Sequence, residues 1–194
     1  MSTVLRTPQR LTVAEFQDWS PPAGLEDRRW NLLDGEPVCM APTSENHGAI
    51  QSQAAYLLTR HLVDVGSRCR VITAPGVIPR IRSISNERIP DLGITCTAPG
   101  GAKAIVDPVV LIEILSPSNE AQTRASVWAY TTIPSVVEIM LLSSTSVSGE
   151  LWRRESDRAW ADNPLLLDAD GDVRLGGLGF AAPIRTFYAT TSLA

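Results

Sequence analysis

The sequence predicts an α/β protein in which a mixed β-sheet is flanked by helices and preceded by an N-terminal helix and a hairpin. Three observations carry this prediction. Residues 44–65 have the apolar periodicity of a long helix, residues 108–115 are almost continuously apolar, and helical and strand-like segments alternate along the chain. No repeat or linker divides the sequence, so we expect one domain over residues 1–194.

The first elements have clear local signals. Residues 11–19 predict a short helix, because Thr12 is a favourable N-cap and Glu15 follows in a capping-box pattern. Residues 29–41 predict a hairpin across an Asp-Gly turn. The long helix then begins at Thr43 or Ser44 and ends before a glycine. Its apolar stripe consists of Ile50, Ala54, Leu57, Leu58, Leu62 and Val65.

Strands dominate the rest of the chain. We predict them at residues 69–74, 76–82, 89–96, 108–115, 136–143 and 149–155. A helix over residues 118–132 separates two of the buried strands, so these three elements form a candidate β-α-β crossover. Short strands and turns follow, with a possible final helix near residues 183–190.

Overall charge and hydropathy exclude some classes of protein. A net charge of −4 argues against tight non-specific binding of nucleic acid, although it permits a local basic patch. No apolar run reaches the roughly 20 residues that span a bilayer, and the opening segment MSTVLRTPQR lacks the apolar core of a signal peptide. We therefore expect a cytoplasmic protein with no membrane partner, and a homodimer as the commonest oligomer.

The cysteines point to the same compartment. Cys39, Cys69 and Cys96 are odd in number, widely spaced and embedded in apolar stretches. This pattern predicts buried free thiols in a reducing environment, and neither a disulfide framework nor a zinc site.

Glu113 is the most informative polar residue, because it is the only ionisable group in the apolar run 108–115. Strand alternation places it on one face with Leu111 and Leu115. A buried, unpaired carboxylate costs several kcal/mol, so Glu113 needs a base, a hydrogen-bond network or a cation as its partner. The structural alternative is a carboxylate that bonds only to nearby backbone or to an arginine.

Asp91 is the candidate partner of Glu113. It lies in the strand predicted over residues 89–96, on one face with Gly93 and Thr95, whose small side chains should leave room beside it. Two carboxylates on neighbouring strands can hold Mg²⁺ or Mn²⁺, and Mg²⁺ prefers one or two carboxylates completed by water. Such a cation activates water and neutralises charge on a phosphodiester. The alternative is a solvated aspartate at the start of a strand.

Four short motifs follow one another in a recognisable order. They are Leu-Asp-Gly-Glu at residues 33–36, the segment 42–48, Pro-Asp at 90–91, and Glu-Ile-Leu-Ser-Pro-Ser at 113–118. Over residues 10–190 this order resembles the Uma-two family of putative restriction endonucleases, bacterial proteins of the PD-(D/E)XK superfamily. The resemblance implies a restriction-endonuclease-like fold. It also implies that Asp91 and Glu113 bind a metal ion, with Glu36 and His47 near the same site.

The chain departs from the superfamily pattern at its basic position. The superfamily carries a lysine two residues after the Glu or on the following helix. Here Leu115 and the lysine-free segment NEAQTRASVWAY occupy those places, and Asn31 stands where many relatives have Glu. The only lysine of the chain, Lys103, lies in a Gly-rich loop. Arg124 is the candidate for the missing positive charge, although an arginine does not serve as a general base.

These observations leave functions of different classes open. One is an endonuclease that hydrolyses phosphodiester bonds in DNA with Mg²⁺ or Mn²⁺. In that hypothesis Asp91 and Glu113 hold the metal, Arg124 stabilises charge, and His47 or Glu36 positions water. Another is a catalytically inactive binding or regulatory module with the same fold, and a hydrolase of some other phosphoester is a third. The acidic pair favours the nuclease, whereas the missing lysine favours the module.

Overall fold

The structure is a computed structural model that describes residues 10–155 and 157–194. All but the last residue of the segment considered as a signal peptide therefore lies outside the described residues. The helices are α1 (Val13–Gln17), α2 (Glu45–Asp64) and α3 (Glu120–Thr131). The strands are β1 (Trp30–Leu33), β2 (Glu36–Cys39), β3 (Arg70–Thr73), β4 (Leu92–Thr95), β5 (Pro108–Leu115), β6 (Glu138–Ser143), β7 (Gly149–Arg153), β8 (Leu165–Leu167), β9 (Asp172–Leu175) and β10 (Phe180–Pro183).

A six-stranded mixed sheet of order β3-β4-β5-β6-β7-β8 forms the centre of the fold. Its neighbouring strands are antiparallel except β5 and β6, which run parallel and are joined through α3 as a β-α-β crossover. Ile112 and Ile114 of β5 pack in one core cluster with α2. Leu111 packs in a second cluster with α3. The predicted fold class, a mixed sheet flanked by helices, is confirmed.

Three local predictions at the N-terminal side are confirmed. The Thr12 hydroxyl accepts the Glu15 N–H at 3.3 Å, and the Glu15 carboxylate accepts the Thr12 N–H at 2.8 Å, which completes the capping box of α1. Strands β1 and β2 form a hairpin whose turn places Asp34 at a φ of 50°. Ser44 caps α2 by accepting a backbone N–H of the first turn at 3.2 Å.

Two predicted elements differ in the structure. Residues 76–82 do not form a strand: Val77 makes an isolated bridge with Arg88, and the chain then turns, with Arg82 at a φ of 48°. The apolar pattern was misleading because Val77 is buried while the two isoleucines that follow it are exposed. The C-terminal helix is a 3₁₀ helix over Ile184–Tyr188 that packs against α2.

The cysteine prediction was wrong. Arg70 of β3 pairs with Thr95 of β4, so the next residues outward, Cys69 and Cys96, meet across the two strands and form a disulfide. Cys39 is a free cysteine, but it is exposed. The cysteines therefore no longer support a reducing compartment, and a cytoplasmic location stays a prediction. Within the described chain, no helix combines the length and apolarity that crossing a membrane requires.

Glu87 is a buried carboxylate that helps to attach the hairpin to the rest of the fold. Its backbone exchanges two hydrogen bonds with Leu32 of β1, and its side chain accepts the Gln17 amide at 2.9 Å. The Oε1 atom packs so closely on Gly76 that a Cβ there would lie 2.3 Å from it. Burial raises the pKa of Glu87, although the Gln17 hydrogen bond and the Lys103 charge oppose the increase.

We predict that Glu87→Gln stabilises the protein at pH 8 more than at pH 4. A carboxyl group with a raised folded-state pKa contributes its stability below the unfolded-state value of 4.5 and loses it as the pH rises through the folded-state value. The amide carries no charge and avoids this loss. Urea unfolding across this pH range measures the effect. Glu36→Gln, at an exposed position, is the matched control, and parallel pH profiles for wild type and Glu87→Gln would contradict the prediction.

Candidate active site

Several elements of the fold meet at Asp91, which directly precedes β4. Its Oδ2 atom accepts the backbone N–H of Ile114 from the neighbouring strand β5 at 2.8 Å. Its Oδ1 atom accepts Nη1 of Arg29, just before β1, and faces Nε2 of His47, in the first turn of α2, each at 2.9 Å. The Asp91 side chain is only 3% exposed, so these protein groups replace water as its hydrogen-bond donors.

These donors hold Asp91 in its ionised form. Burial by itself would raise the pKa of Asp91, but the His47 contact, the Arg29 charge and the Ile114 N–H together lower it. An ionised carboxylate only accepts hydrogen bonds, so Nε2 of His47 carries the proton in this contact. The Gln51 amide also donates to the backbone oxygen of Asp91 at 2.8 Å. Both the backbone and the carboxylate of Asp91 are therefore fixed.

Glu113 projects from β5 toward α3, where its Oε1 atom accepts the hydroxyl of Tyr130 at 2.7 Å. The residue is 5% exposed, and it forms no ion pair with any described residue. Burial and the adjacent charge of Asp91 raise the pKa of Glu113 to about 8. The two carboxyl groups are thus unequal: the pKa of Asp91 is lowered, the pKa of Glu113 is raised, and Asp91 holds a negative charge more readily than Glu113.

The sequence predicted open space next to Asp91 on the face of β4 that carries Gly93, but the structure has none there. Gly93 and Thr95 were expected to leave room next to Asp91. A Cβ on Gly93 would instead lie 2.7 Å from Ile105 and 2.8 Å from Pro75, so this face of β4 is covered.

A polar cleft of about 470 Å³ is lined by Arg29 and Gln51. Both of these residues hold Asp91, and Arg29 keeps 26% of its side chain exposed. The cleft is further lined by Asp27, Arg28, Met40, Thr43 and Thr73. Two guanidinium groups and an amide supply donors of the kind that bind anions.

Arg124, predicted to supply charge at the site, lies apart from the acidic pair. Its guanidinium binds both oxygens of Glu150 at 2.9 and 3.1 Å, and also Glu120 at 3.0 Å. Glu150 pairs with Leu141 of β6, which in turn pairs with Glu113 of β5. Two strand spacings, about 10 Å, therefore separate Glu113 from β7, the strand whose Glu150 binds Arg124.

Glu36 also lies away from the acidic pair. It pairs with Leu33 beside the turn of the hairpin and is exposed, whereas Arg29 lies at the opposite end of the same hairpin. Lys103 is bound to Asp18 and to a backbone oxygen of α1. Of the five predicted site residues, the structure brings together only three, namely Asp91, Glu113 and His47. The catalytic roles of all five remain predictions.

Sequence reasoning missed three residues of this site. Arg29 is 62 positions from Asp91, so no local pattern connects them. Gln51 follows His47 by four positions on α2, and no sequence pattern distinguishes its amide from those of other glutamines. Tyr130 packs its ring in the core, as a large side chain on a helix usually does, so its hydroxyl gives no separate signal. The one available signal was that a buried Glu113 needs a hydrogen-bond donor, and the Tyr130 hydroxyl is that donor.

The fold defines a class of protein. The structure is similar to the crystal structure of a putative nuclease belonging to DUF820 from Anabaena variabilis, with a TM-score of 0.72 over 92% of this chain and 98% of that chain. The two sequences are 15% identical, so this likeness concerns the fold alone. The protein has a nuclease-like α/β fold.

The family follows from the sequence itself. The family model Uma2, described as putative restriction endonuclease, matches residues 13–181. The chain therefore belongs to the Uma2 family, which confirms the resemblance in the motifs. It is also 29% identical over 183 residues to the uncharacterised protein slr1290 of Synechocystis sp., across 90% of both chains.

We predict that Tyr130→Phe lowers the free energy of unfolding by about 1–3 kcal/mol, because Glu113 loses its buried hydrogen-bond donor. Urea unfolding measures the loss. Tyr56→Phe is the matched control, since it removes a hydroxyl that bonds to Arg60 on the exposed surface of α2. Equal losses in the two variants would mean that the buried hydrogen bond contributes no more than a surface one.

Proposed function

We propose that the protein is a metal-dependent nuclease that hydrolyses phosphodiester bonds in DNA. The family and the fold support a nuclease. The observation that supports the chemistry is the placement of Asp91 and Glu113 side by side in the interior of the sheet, at the start of β4 and in β5.

The acidic pair fits a hard divalent cation, Mg²⁺ or Mn²⁺. Two carboxylates are the protein ligands that Mg²⁺ prefers, and Glu113 has no other cationic partner in the described part of the chain. No cluster of three or more potential ligand side chains occurs in residues 10–155 and 157–194. Water and substrate oxygens would therefore complete the coordination shell. When bound, such a cation activates water and offsets negative charge on the phosphate.

The neighbouring residues orient the acidic pair and neutralise charge. His47 and the Ile114 N–H bind different oxygens of Asp91 and so fix the plane of its carboxylate. Arg29 lies between Asp91 and the polar cleft, and its remaining guanidinium donors can bind a phosphate oxygen of the substrate. In the reaction, the oxygen of water bonds to phosphorus, the bond from phosphorus to the sugar oxygen breaks, and that oxygen leaves with a proton.

Cleavage of supercoiled plasmid in Mg²⁺ and in Mn²⁺ tests this proposal. We expect wild type to nick the plasmid and Glu113→Gln to lose at least about 10²-fold in rate, the size typical for removal of one group that stabilises the transition state. The amide keeps the volume of the side chain and can still accept the Tyr130 hydroxyl, so folding should persist.

A binding measurement separates the metal site from catalysis. Because Mn²⁺ would bind only the folded state, it should raise the melting temperature of wild type. Asp91→Asn should abolish this increase, whereas Asp64→Asn, an exposed aspartate on α2, should keep it. An equal increase in Asp91→Asn would place the metal elsewhere.

We predict that Arg29→Ala lowers the cleavage rate about 10²-fold, whereas Arg124→Ala changes it little. Arg29 contacts Asp91 and lines the cleft, but the charge of Arg124 is already compensated by two glutamates. The initial rate of nicking at a saturating metal concentration measures both effects. The reverse ranking would restore Arg124 as the residue that supplies charge.

The second candidate function is a catalytically inactive binding or regulatory module. The position of Lys103 favours it, because the only lysine of the chain is bound to Asp18 and does not accompany the acidic pair. Absence of cleavage by folded wild type that binds Mn²⁺ would select this module over the nuclease.

A further inference from the structure

A second cavity, of about 290 Å³, lies between α3 and the strands β6 and β7. Its walls are mainly apolar and include three of the five tryptophans of the chain, Trp128, Trp152 and Trp160. We call it the tryptophan cavity. Because it shares no lining residue with the polar cleft beside Arg29, it needs a separate explanation.

We propose that the tryptophan cavity binds a nucleobase of the nucleic-acid substrate, an inference that rests on the proposed nuclease function. Aromatic side chains bind bases by stacking, which contributes about 1–3 kcal/mol per base and tolerates any base because each has a π-face. The size of the cavity approaches the lower limit of typical small-ligand sites.

The tryptophans are arranged as a fixed wall and an accessible edge. The Trp160 indole donates to the Thr131 backbone oxygen at 3.0 Å, and the Arg154 guanidinium lies 4.6 Å from the centre of its ring. Trp128 is 71% exposed, although it lines the same cavity. An exposed indole on a helix has little role in core packing, so its surface is available to a ligand that enters the cavity.

Polar groups in the lining suit a neutral base better than a phosphate. The charge of Arg124 is already compensated by Glu120 and Glu150. Asp162 adds a carboxylate to the lining, which repels phosphate but accepts from an exocyclic amine.

The cavity also lies on the same face of the sheet as Glu113. Leu141, part of its lining, is the residue of β6 that pairs with Glu113 of β5. Adjacent strands are about 4.8 Å apart, so the lining reaches the strand next to Glu113. A nucleotide bound near the acidic pair therefore has a base-sized site on the neighbouring strand.

Calorimetric titration with adenosine and thymidine tests this inference, because these probes carry a base without a phosphate. We expect wild type to bind them. Trp128→Ala, which removes the exposed ring, and Ala161→Phe, which fills the cavity, should weaken binding at least about 5-fold. Tyr56→Ala, at an exposed aromatic residue on α2, is the matched control and should bind like wild type. Melting temperatures verify that each variant is folded.

Three results would overturn the inference. The first is nucleoside binding of equal strength in wild type, Trp128→Ala and Ala161→Phe, and the second is no nucleoside binding by wild type. The third is a cavity that binds choline but no nucleoside, since aromatic walls also bind quaternary ammonium ions.

Plasmid cleavage, measured in parallel, separates this inference from the proposed function. Glu113→Gln should keep nucleoside binding and lose cleavage. If wild type binds nucleosides through Trp128 but does not cleave, the cavity assignment stands without the nuclease. If wild type cleaves and Trp128→Ala binds nucleosides like wild type, the nuclease stands without the cavity.

Discussion

The structure depends on the burial of two carboxyl groups side by side in the centre of a sheet. Each carboxylate that leaves water loses several kcal/mol of solvation, and two adjacent negative charges repel each other. The fold reduces this cost by giving the two carboxyl groups different hydrogen-bond donors. Asp91 receives several N–H donors, among them the Arg29 guanidinium, and stays ionised, whereas Glu113 receives the neutral hydroxyl of Tyr130 and its pKa is raised to about 8.

This requirement explains why segments far apart in sequence meet at one point. The segment before the hairpin contributes Arg29, α2 contributes His47 and Gln51, and α3 contributes Tyr130. Removal of a donor from a buried charge costs more than the hydrogen bond itself, because the desolvated charge remains. A descendant that lost catalysis would still need these donors. These donors therefore stabilise the fold whether or not the acidic pair is catalytic, and a cleavage measurement separates the two cases.

Much of the fold could be predicted because its signals are local. The strand over residues 108–115 has the predicted bounds in the structure, because an apolar run of this length is typical of a strand buried on both faces of a sheet. The capping box of α1 and the Asp-Gly turn likewise depend on residues within four positions of each other.

The failures arose where pairing over long distances decides the outcome. The disulfide between Cys69 and Cys96 exists because β3 and β4 pair in one register, which no spacing along the chain reveals. Arg29 meets Asp91 for a similar reason, since the position of the hairpin relative to the sheet depends on contacts such as the one between Leu32 and Glu87. The acidic pair itself was predictable, but most of its partners were not.

The geometry of α3 explains why Arg124 does not replace the missing lysine. Arg124 and Tyr130 are six positions apart on α3, which turns them about 120° away from each other around the helix. Tyr130 faces Glu113, so Arg124 faces β7 and binds Glu150 there.

A cation on α3 that reaches Glu113 would have to occupy the buried face of the helix, which consists of Thr123, Ser126, Val127, Ala129 and Tyr130. None of these residues is basic, so α3 offers the acidic pair no charge. The positive charge beside Asp91 comes instead from Arg29, in the segment before β1. An arginine there compensates charge but does not accept a proton, and His47 is engaged with Asp91. The proposed nuclease would therefore depend on a bound cation to activate water.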